Sequence, residues 1–237
     1  MISKFNVPQK EYELNVEKFI CNKFGLAEFL AKNFSRLELT CKKVLDVGCG
    51  AFPIGIFLSD IYGYDVTGVE LNTIACDCGF KNIKKYKVED KTRIENKNFI
   101  DYLNENQCEN YDLIIANPPV DDSVTETTIK KYASNNFKIF DDEIYAYLTN
   151  SWHSRSGKDL TDYIFEYAEK GLNPTGVIVL VFCEIDCRSP DYIYKKAESH
   201  GFNRKEIIEG FITPESVGIE NYNQKEIKTY ITKFGIV

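Results

Sequence analysis

An apolar run from Tyr111 to Ala116 ends in Asn117-Pro118-Pro119, and at that junction the residue types could do chemistry. Leu113, Ile114, Ile115 and Ala116 read as a buried strand, and the two prolines stop it abruptly. A proline restricts the residue before it to extended backbone, so Asn117 and Pro118 are both held nearly rigid. With the strand ladder ended there, the carbonyls of Asn117 and Pro118 can stay available to an outside donor. The result is a fixed cluster of acceptors at the carboxyl end of a strand, where open α/β sheets bind ligands. Such a cluster suits an –NH2 group and points to chemistry on a planar amino or amide nitrogen. The plainer reading of the same residues is a strand followed by a Pro-Pro loop.

A second constellation lies upstream. Val44-Leu45-Asp46-Val47-Gly48-Cys49-Gly50 joins a strand to a helix through a tight glycine turn. Glycines let the backbone approach a ligand that a Cβ would obstruct. Glu70 follows the next strand about 20 residues further on, where a carboxylate can accept from both hydroxyls of a ribose. A nicotinamide dinucleotide would usually want a third glycine before the helix, and that position holds Phe52.

These residues need a scaffold, and the periodicity supplies one. Glu11 to Asn33 carries apolar residues at helical spacing and reads as one or two helices. Strands are expected at Lys43 to Val47, Asp65 to Val69, Thr92 to Asn96, Tyr111 to Ala116 and Val177 to Phe182. Helices are expected from Pro53 to Ile61, Asn72 to Tyr86, Asp159 to Leu172 and Pro190 to His200, with Pro174-Thr175-Gly176 as a turn. Short strands near Glu206 to Glu209 and Lys228 to Phe234 would close the sheet. Alternating strands and helices mean a mainly parallel sheet covered on both faces, with room for antiparallel strands at the end.

Composition narrows the function. The 237 residues are 43% hydrophobic and 27% charged, ordinary for a globular chain. Lys+Arg 29 against Asp+Glu 36 gives −7, so no global attraction to a phosphate backbone is expected. The basic cluster Lys81, Lys84, Lys85 and Lys87 reads as a solvated helix face. No apolar run approaches the roughly 20 residues of a membrane span. With no signal-peptide pattern at its N-terminus, the chain is expected in the cytoplasm. Eight cysteines form no zinc-knuckle spacing, and with two histidines, His153 and His200, no metal is expected. The thiols read as free and mostly buried. So few histidines also argue against a Ser-His or Cys-His nucleophile.

Asp46-x-Gly48-x-Gly50, Glu70 and Asn117-Pro118-Pro119 together resemble the class I S-adenosylmethionine-dependent methyltransferases. More narrowly, Val7 to Glu17 (Val-Pro-Gln-Lys-Glu-Tyr-Glu-Leu-Asn-Val-Glu) is similar to the segment entering the catalytic domain of release-factor glutamine methyltransferases, the HemK-like family. That family reads roughly Ile-Pro-Arg-Pro-Glu-Thr-Glu-Leu-Leu-Val-Glu there. Ser156-Gly157-Lys158-Asp159-Leu160 and the later Pro174-x-Gly176 also resemble it, so the likeness runs from about residue 7 to 202.

The resemblance implies a Rossmann-like fold: a mainly parallel seven-stranded sheet with helices on both faces. It implies an N-terminal helical segment, 1–40, packed on a methyltransferase domain, 41–237, with S-adenosyl-L-methionine as cofactor. Asp46, Gly48 and Gly50 would border the methionine portion, Glu70 the ribose, and Asn98 the adenine amino group, with Asp101 a rival. Asn117, beside the cofactor, would act with Pro118 and Pro119 on the acceptor. Three departures stand out: Phe52 for a glycine, Val120 for an aromatic residue after Asn-Pro-Pro, and some 40 residues in place of a separate helical domain. Phe52 implies that the turn bends differently around the methionine end.

The leading acceptor is a protein glutamine, in a translation release factor. An adenine N6 or guanine N2 of RNA or DNA shares the same nitrogen chemistry, and a small-molecule amine fits Val120. A cofactor-binding scaffold without catalysis is the alternative of another class. Trp152 and His153 lie in a long segment that could cover the acceptor, although a sole tryptophan is more often a packing residue.

Overall fold

The computed structural model describes residues 1–17, 23–106, 109–117, 160–184, 190–217 and 224–236. A hairpin comes first, β1 (Ile2–Asn6) against β2 (Glu11–Asn15), followed by α1 (Gly25–Asn33). Alternation then begins: β3 (Lys43–Val47), α2 (Pro53–Tyr62), β4 (Asp65–Glu70), α3 (Thr73–Tyr86), β5 (Thr92–Asn96), α4 (Phe99–Glu105) and β6 (Tyr111–Ala116). The described chain resumes with α5 (Leu160–Gly171), β7 (Leu172–Cys183), α6 (Pro190–Ser199), β8 (Phe202–Ile212) and β9 (Ile227–Ile236).

The large sheet has seven strands in the order β5-β4-β3-β6-β7-β9-β8. From β5 through β7 the strands are parallel; β9 runs antiparallel to both β7 and β8. Side chains of β3, β6 and β7 alternate between two cores. Val44, Leu113, Ile115 and Val179 pack with α1, α2 and α3. Leu45, Ile114, Ala116 and Ile178 pack with α4, α5 and α6 on the other face. Burial on both faces explains why these strands are near-continuous apolar runs.

The expected Rossmann-like sheet is present, with three local corrections. Segment 1–40, expected to be helical from Glu11, opens with the hairpin instead. Tyr12 and Leu14 are buried between exposed Glu11 and Glu13, a period of two that overrides the helical spacing. Pro174-Thr175-Gly176 lies inside β7 rather than in a turn, and the β6–β7 register shifts there between Tyr111 and Leu113. Finally, β8 and β9 are long strands pairing from Phe202↔Ile236 to Ile212↔Ile227.

All five cysteines among the described residues (41, 49, 76, 78 and 183) are buried thiols outside any disulfide, as expected. No group of metal-ligating side chains occurs among the described residues, and no helix there is long and apolar enough to cross a membrane.

Candidate cofactor site at the sheet's switch point

Chain order reverses between β3 and β6. From β3 the chain builds outward to β4 and β5, then crosses back to place β6 on the other side of β3. Loops leaving the carboxyl ends of strands on either side of such a point diverge and open a crevice. The Gly48–Gly50 turn leaves β3 on one side. Asn117 leaves β6 on the other, one residue beyond the Val47↔Ala116 pair.

The turn is held from below and from the side. Gly48 N and Cys49 N both donate to Val69 O, at 2.9 and 3.3 Å. Gly48 and Gly50 take positive φ values of 70° and 55°, and a Cβ at Gly48 would meet nothing within 4 Å. That open side is where a ligand can approach the backbone. Gly50 N donates to Glu70 Oε2 at 2.9 Å, and Asn72 N donates to Glu70 Oε1 at 2.8 Å. Each carboxylate oxygen keeps a further lone-pair direction for a ligand hydroxyl.

Two acidic groups sit together here with little solvent. Asp46 and Glu70 are 6% and 5% exposed. Burial, then the charge of Glu70, pushes the Asp46 carboxyl up to about 7. Burial also raises Glu70, outweighing the N–H donors of Asn72, Gly50 and Leu71 that favour its ionised form. Asp46 Oδ2 is buried without a hydrogen-bond partner. A nearby positive charge would relieve both the unpaired oxygen and the repulsion.

Phe52 does not occupy the crevice. It adopts left-handed backbone, φ 66° and ψ 38°, so the chain turns there as it does at Gly48 and Gly50. Its ring is fully buried between α2 and β4. Cβ atoms built on Gly55 and Gly68 would lie 2.1 and 2.6 Å from ring carbons. Real Cβ atoms cannot come that close, so these two glycines make the room. The departure from glycine is absorbed by the core and leaves the ligand side open.

Asn98 precedes α4 and caps it, with Oδ1 accepting from Ile100 N at 2.8 Å. One lone pair of Oδ1 and the amide N–H2 remain for a ligand. Asp101 is exposed on the first turn of α4. Asn117 is exposed at the end of β6. Pro118, Pro119, Val120, Trp152, His153 and Ser156 to Asp159 lie outside the described residues.

Three asparagines that sequence reasoning passed over also shape the site. Asn72 caps α3, accepting from Ala75 N at 3.0 Å. Asn96 Nδ2 donates to Glu70 O and Leu71 O, at 3.0 and 3.1 Å, fixing the loop after β4. Asn82, on α3, is completely buried among apolar neighbours and reaches Ala51 O at 3.0 Å. A polar residue on the inward stripe Cys78-Gly79-Asn82-Ile83 was the available signal.

Comparison with known proteins agrees with this geometry. Residues 25–138 match the methyltransferase small domain family. The chain is 28% identical over 163 residues to the release factor glutamine methyltransferase of Borreliella burgdorferi, covering 67% of this chain and 51% of that protein. It therefore spans about half the length of that relative. Among solved structures, a methyltransferase from Pyrococcus furiosus superposes with a TM-score of 0.59 at 13% identity, covering 94% of this chain and 89% of the other. The precorrin-6y C5,15-methyltransferase of Geobacter metallireducens gives 0.56 at 15%, covering 94% and 92%. M. jannaschii TYW2, solved in complex with AdoMet, gives 0.52 at 15%, covering 100% and 87%. At such identities these structures establish the fold.

The fold is that of the class I methyltransferases, which use S-adenosylmethionine as cofactor, and residues 25–138 match the methyltransferase small domain family. Within that class it resembles the release-factor glutamine methyltransferases. The residues present fit the cofactor. Orphaned Asp46 suits its positive charge, the open side of Gly48 its close approach, and Glu70 its ribose hydroxyls.

Proposed function

We propose that this chain methylates the side-chain amide nitrogen of a protein glutamine, in a substrate of the translation release-factor type. The observation that carries the reading is the position of Asn117: exposed, one residue past the Val47↔Ala116 pair, where β6 ends beside the strand that leads into the glycine turn. The similarity of Val7 to Glu17 to the release-factor enzymes, and the identity to the Borreliella burgdorferi protein, favour glutamine over other planar nitrogens.

Bound S-adenosylmethionine supplies a methyl group already activated by its sulfonium. The protein's task is then to position. Asp46, Gly48 and Gly50 would hold the methionine portion, Glu70 the ribose and Asn98 the adenine. An amide nitrogen is a poor nucleophile because its lone pair is delocalised. Asn117 Oδ1, with the Pro118 carbonyl expected from the sequence, accepts the two amide N–H bonds. That turns the lone pair towards the reacting carbon and stabilises the charge that develops on nitrogen. Alignment supplies a further share of the rate. No general base is needed before transfer, since the product nitrogen loses its proton readily.

The test is methyl transfer from labelled S-adenosylmethionine to a purified release factor, run beside bulk RNA and with Asn117→Ala as control. Label on a factor glutamine, lost in the variant, supports the proposal. Label on RNA alone replaces it with nucleic-acid methylation, in which a duplex base would be flipped out. No label on either leaves a small amine or a silent scaffold in its place.

A further inference from the structure

The N-terminal hairpin is fastened to the cofactor turn through one side chain. Asn82 lies on the inner stripe of α3 and is 0% exposed. Its Nδ2 donates to Asn15 O and to Ala51 O, both at 3.0 Å. Its Oδ1 accepts from Asn15 N at 2.6 Å and from Asn15 Nδ2 at 2.9 Å. An amide offers two donors and two acceptor sites, and here all four are engaged.

Both partners need this side chain. Asn15 ends β2, and its N–H and C=O both turn to Asn82. Ala51 stands between Gly50 and Phe52, both left-handed, and is 1% exposed. A buried carbonyl in such a turn requires a donor, and Asn82 provides it. The hairpin has other fastenings: Tyr12 OH donates to Asp60 Oδ2 at 2.7 Å, Lys10 pairs with Asp60, and Lys85 Nζ donates to Glu13 O at 2.6 Å. Those anchor it to the exposed sides of α2 and α3. Among the fastenings described, Asn82 reaches the turn itself.

We infer that Asn82 is a positioning residue that couples the hairpin to the glycine turn, so that hairpin docking and cofactor binding reinforce one another. The chain of contacts is short. Asn82 holds the Ala51 carbonyl and with it the Ala51–Phe52 peptide plane. Two peptide units upstream in the same turn, the Gly50 N–H donates to Glu70 Oε2 at 2.9 Å. This inference rests on the cofactor assignment above.

Asn82→Asp isolates the effect. The oxygen facing Asn15 N survives, while both N–H donors are replaced by an acceptor facing two carbonyls. Binding of S-adenosylhomocysteine, measured by calorimetry well below the melting temperature, is expected to weaken about tenfold or more. A role in folding alone would lower the melting temperature and leave the folded protein's affinity unchanged; affinity within about twofold of wild type overturns the inference.

Hydrogen exchange on the wild-type protein gives a second reading that needs no variant. Adding S-adenosylhomocysteine is expected to slow exchange at the Asn15 amide as well as at Gly50. Slowing at Gly50 with no change at Asn15 overturns the coupling. Wild-type protein that binds no S-adenosylhomocysteine overturns the cofactor assignment, and the inference with it. Wild-type binding with an unaffected Asn82→Asp removes the inference alone.

Discussion

Glu70 at the end of β4 accepts the backbone N–H of Gly50 at 2.9 Å, so one buried carboxylate joins the ends of β3 and β4. Its second oxygen accepts from Asn72 N at 2.8 Å, which ties in the start of α3. The carboxylate proposed for the ribose therefore also sets the shape of the turn proposed to meet the methionine portion. Glu70→Gln puts an N–H2 where one of the two backbone N–H groups needs an acceptor. A lost hydrogen bond to a charged group is worth about 1.5–3 kcal/mol, so cofactor affinity should fall roughly ten- to a hundredfold. Titration calorimetry with S-adenosylhomocysteine measures this, and an unchanged Kd would take Glu70 out of the site.

The Asp46–Glu70 pair should make cofactor binding depend on pH. Asp46 rises from its ordinary 3.8 to about 7 because it is buried and faces the charge of Glu70. A carboxyl raised in the fold keeps its proton there when the unfolded chain has lost it. Its contribution to stability is fully present below about 4 and is lost as pH rises through about 7. The ligand-free protein should lose stability over that window, and Asp46→Asn should flatten the loss. The cationic cofactor prefers the ionised carboxylate, so binding should strengthen through pH 7 and release a proton. Calorimetry in buffers of different ionisation enthalpy counts that proton, and none released would contradict the pairing.

Phe52 and Gly68 form a size-matched pair beneath the turn. A Cβ on Gly68 would meet the Phe52 ring at 2.6 Å and Cys49 Sγ at the same distance. Phe52→Ala empties a fully buried site and should cost about 3–5 kcal/mol. Gly68→Ala should destabilise the wild type more than it destabilises the Phe52→Ala protein, because half of its clash has gone. Urea unfolding of the four proteins gives the coupling, and additive losses would show that the ring and Gly68 do not share the space.

The parts of the fold written in apolar residues were legible: β3, β4 and β6 fall where the pattern and turn residues put them, and β5 does so with Ile94 as its one apolar residue. Residues bound to a backbone conformation were legible too, Gly48 and Gly50 above all. What misled was local ambiguity. Glu11 to Asn15 satisfies both a helical stripe and a strand alternation, and only pairing with Ile2–Asn6 decides between them. Phe52 read as a departure that must bend the turn differently, because a sequence shows the missing glycine but not Gly55 and Gly68, which make room for the ring. Spacing could put Asn82 on the inward stripe of α3 but could not name its partners, which are 31 and 67 residues away.

Asn117 offers the sharpest separation of chemistry from binding. It is exposed at the end of β6, so its removal should change stability by no more than about 0.5 kcal/mol. Asn117→Ala deletes one preorganised acceptor, and loss of such a contact typically lowers turnover about a hundredfold or more. Asn117→Asp keeps an oxygen in the same place and should retain more activity than alanine. Neither variant should alter the affinity for S-adenosylhomocysteine beyond about twofold, because the proposed contact is to the acceptor nitrogen. Turnover on a labelled acceptor and calorimetry on the same samples make the comparison. An alanine variant that turns over normally, or an aspartate variant no better than alanine, would mean that the side-chain oxygen does not hold the acceptor.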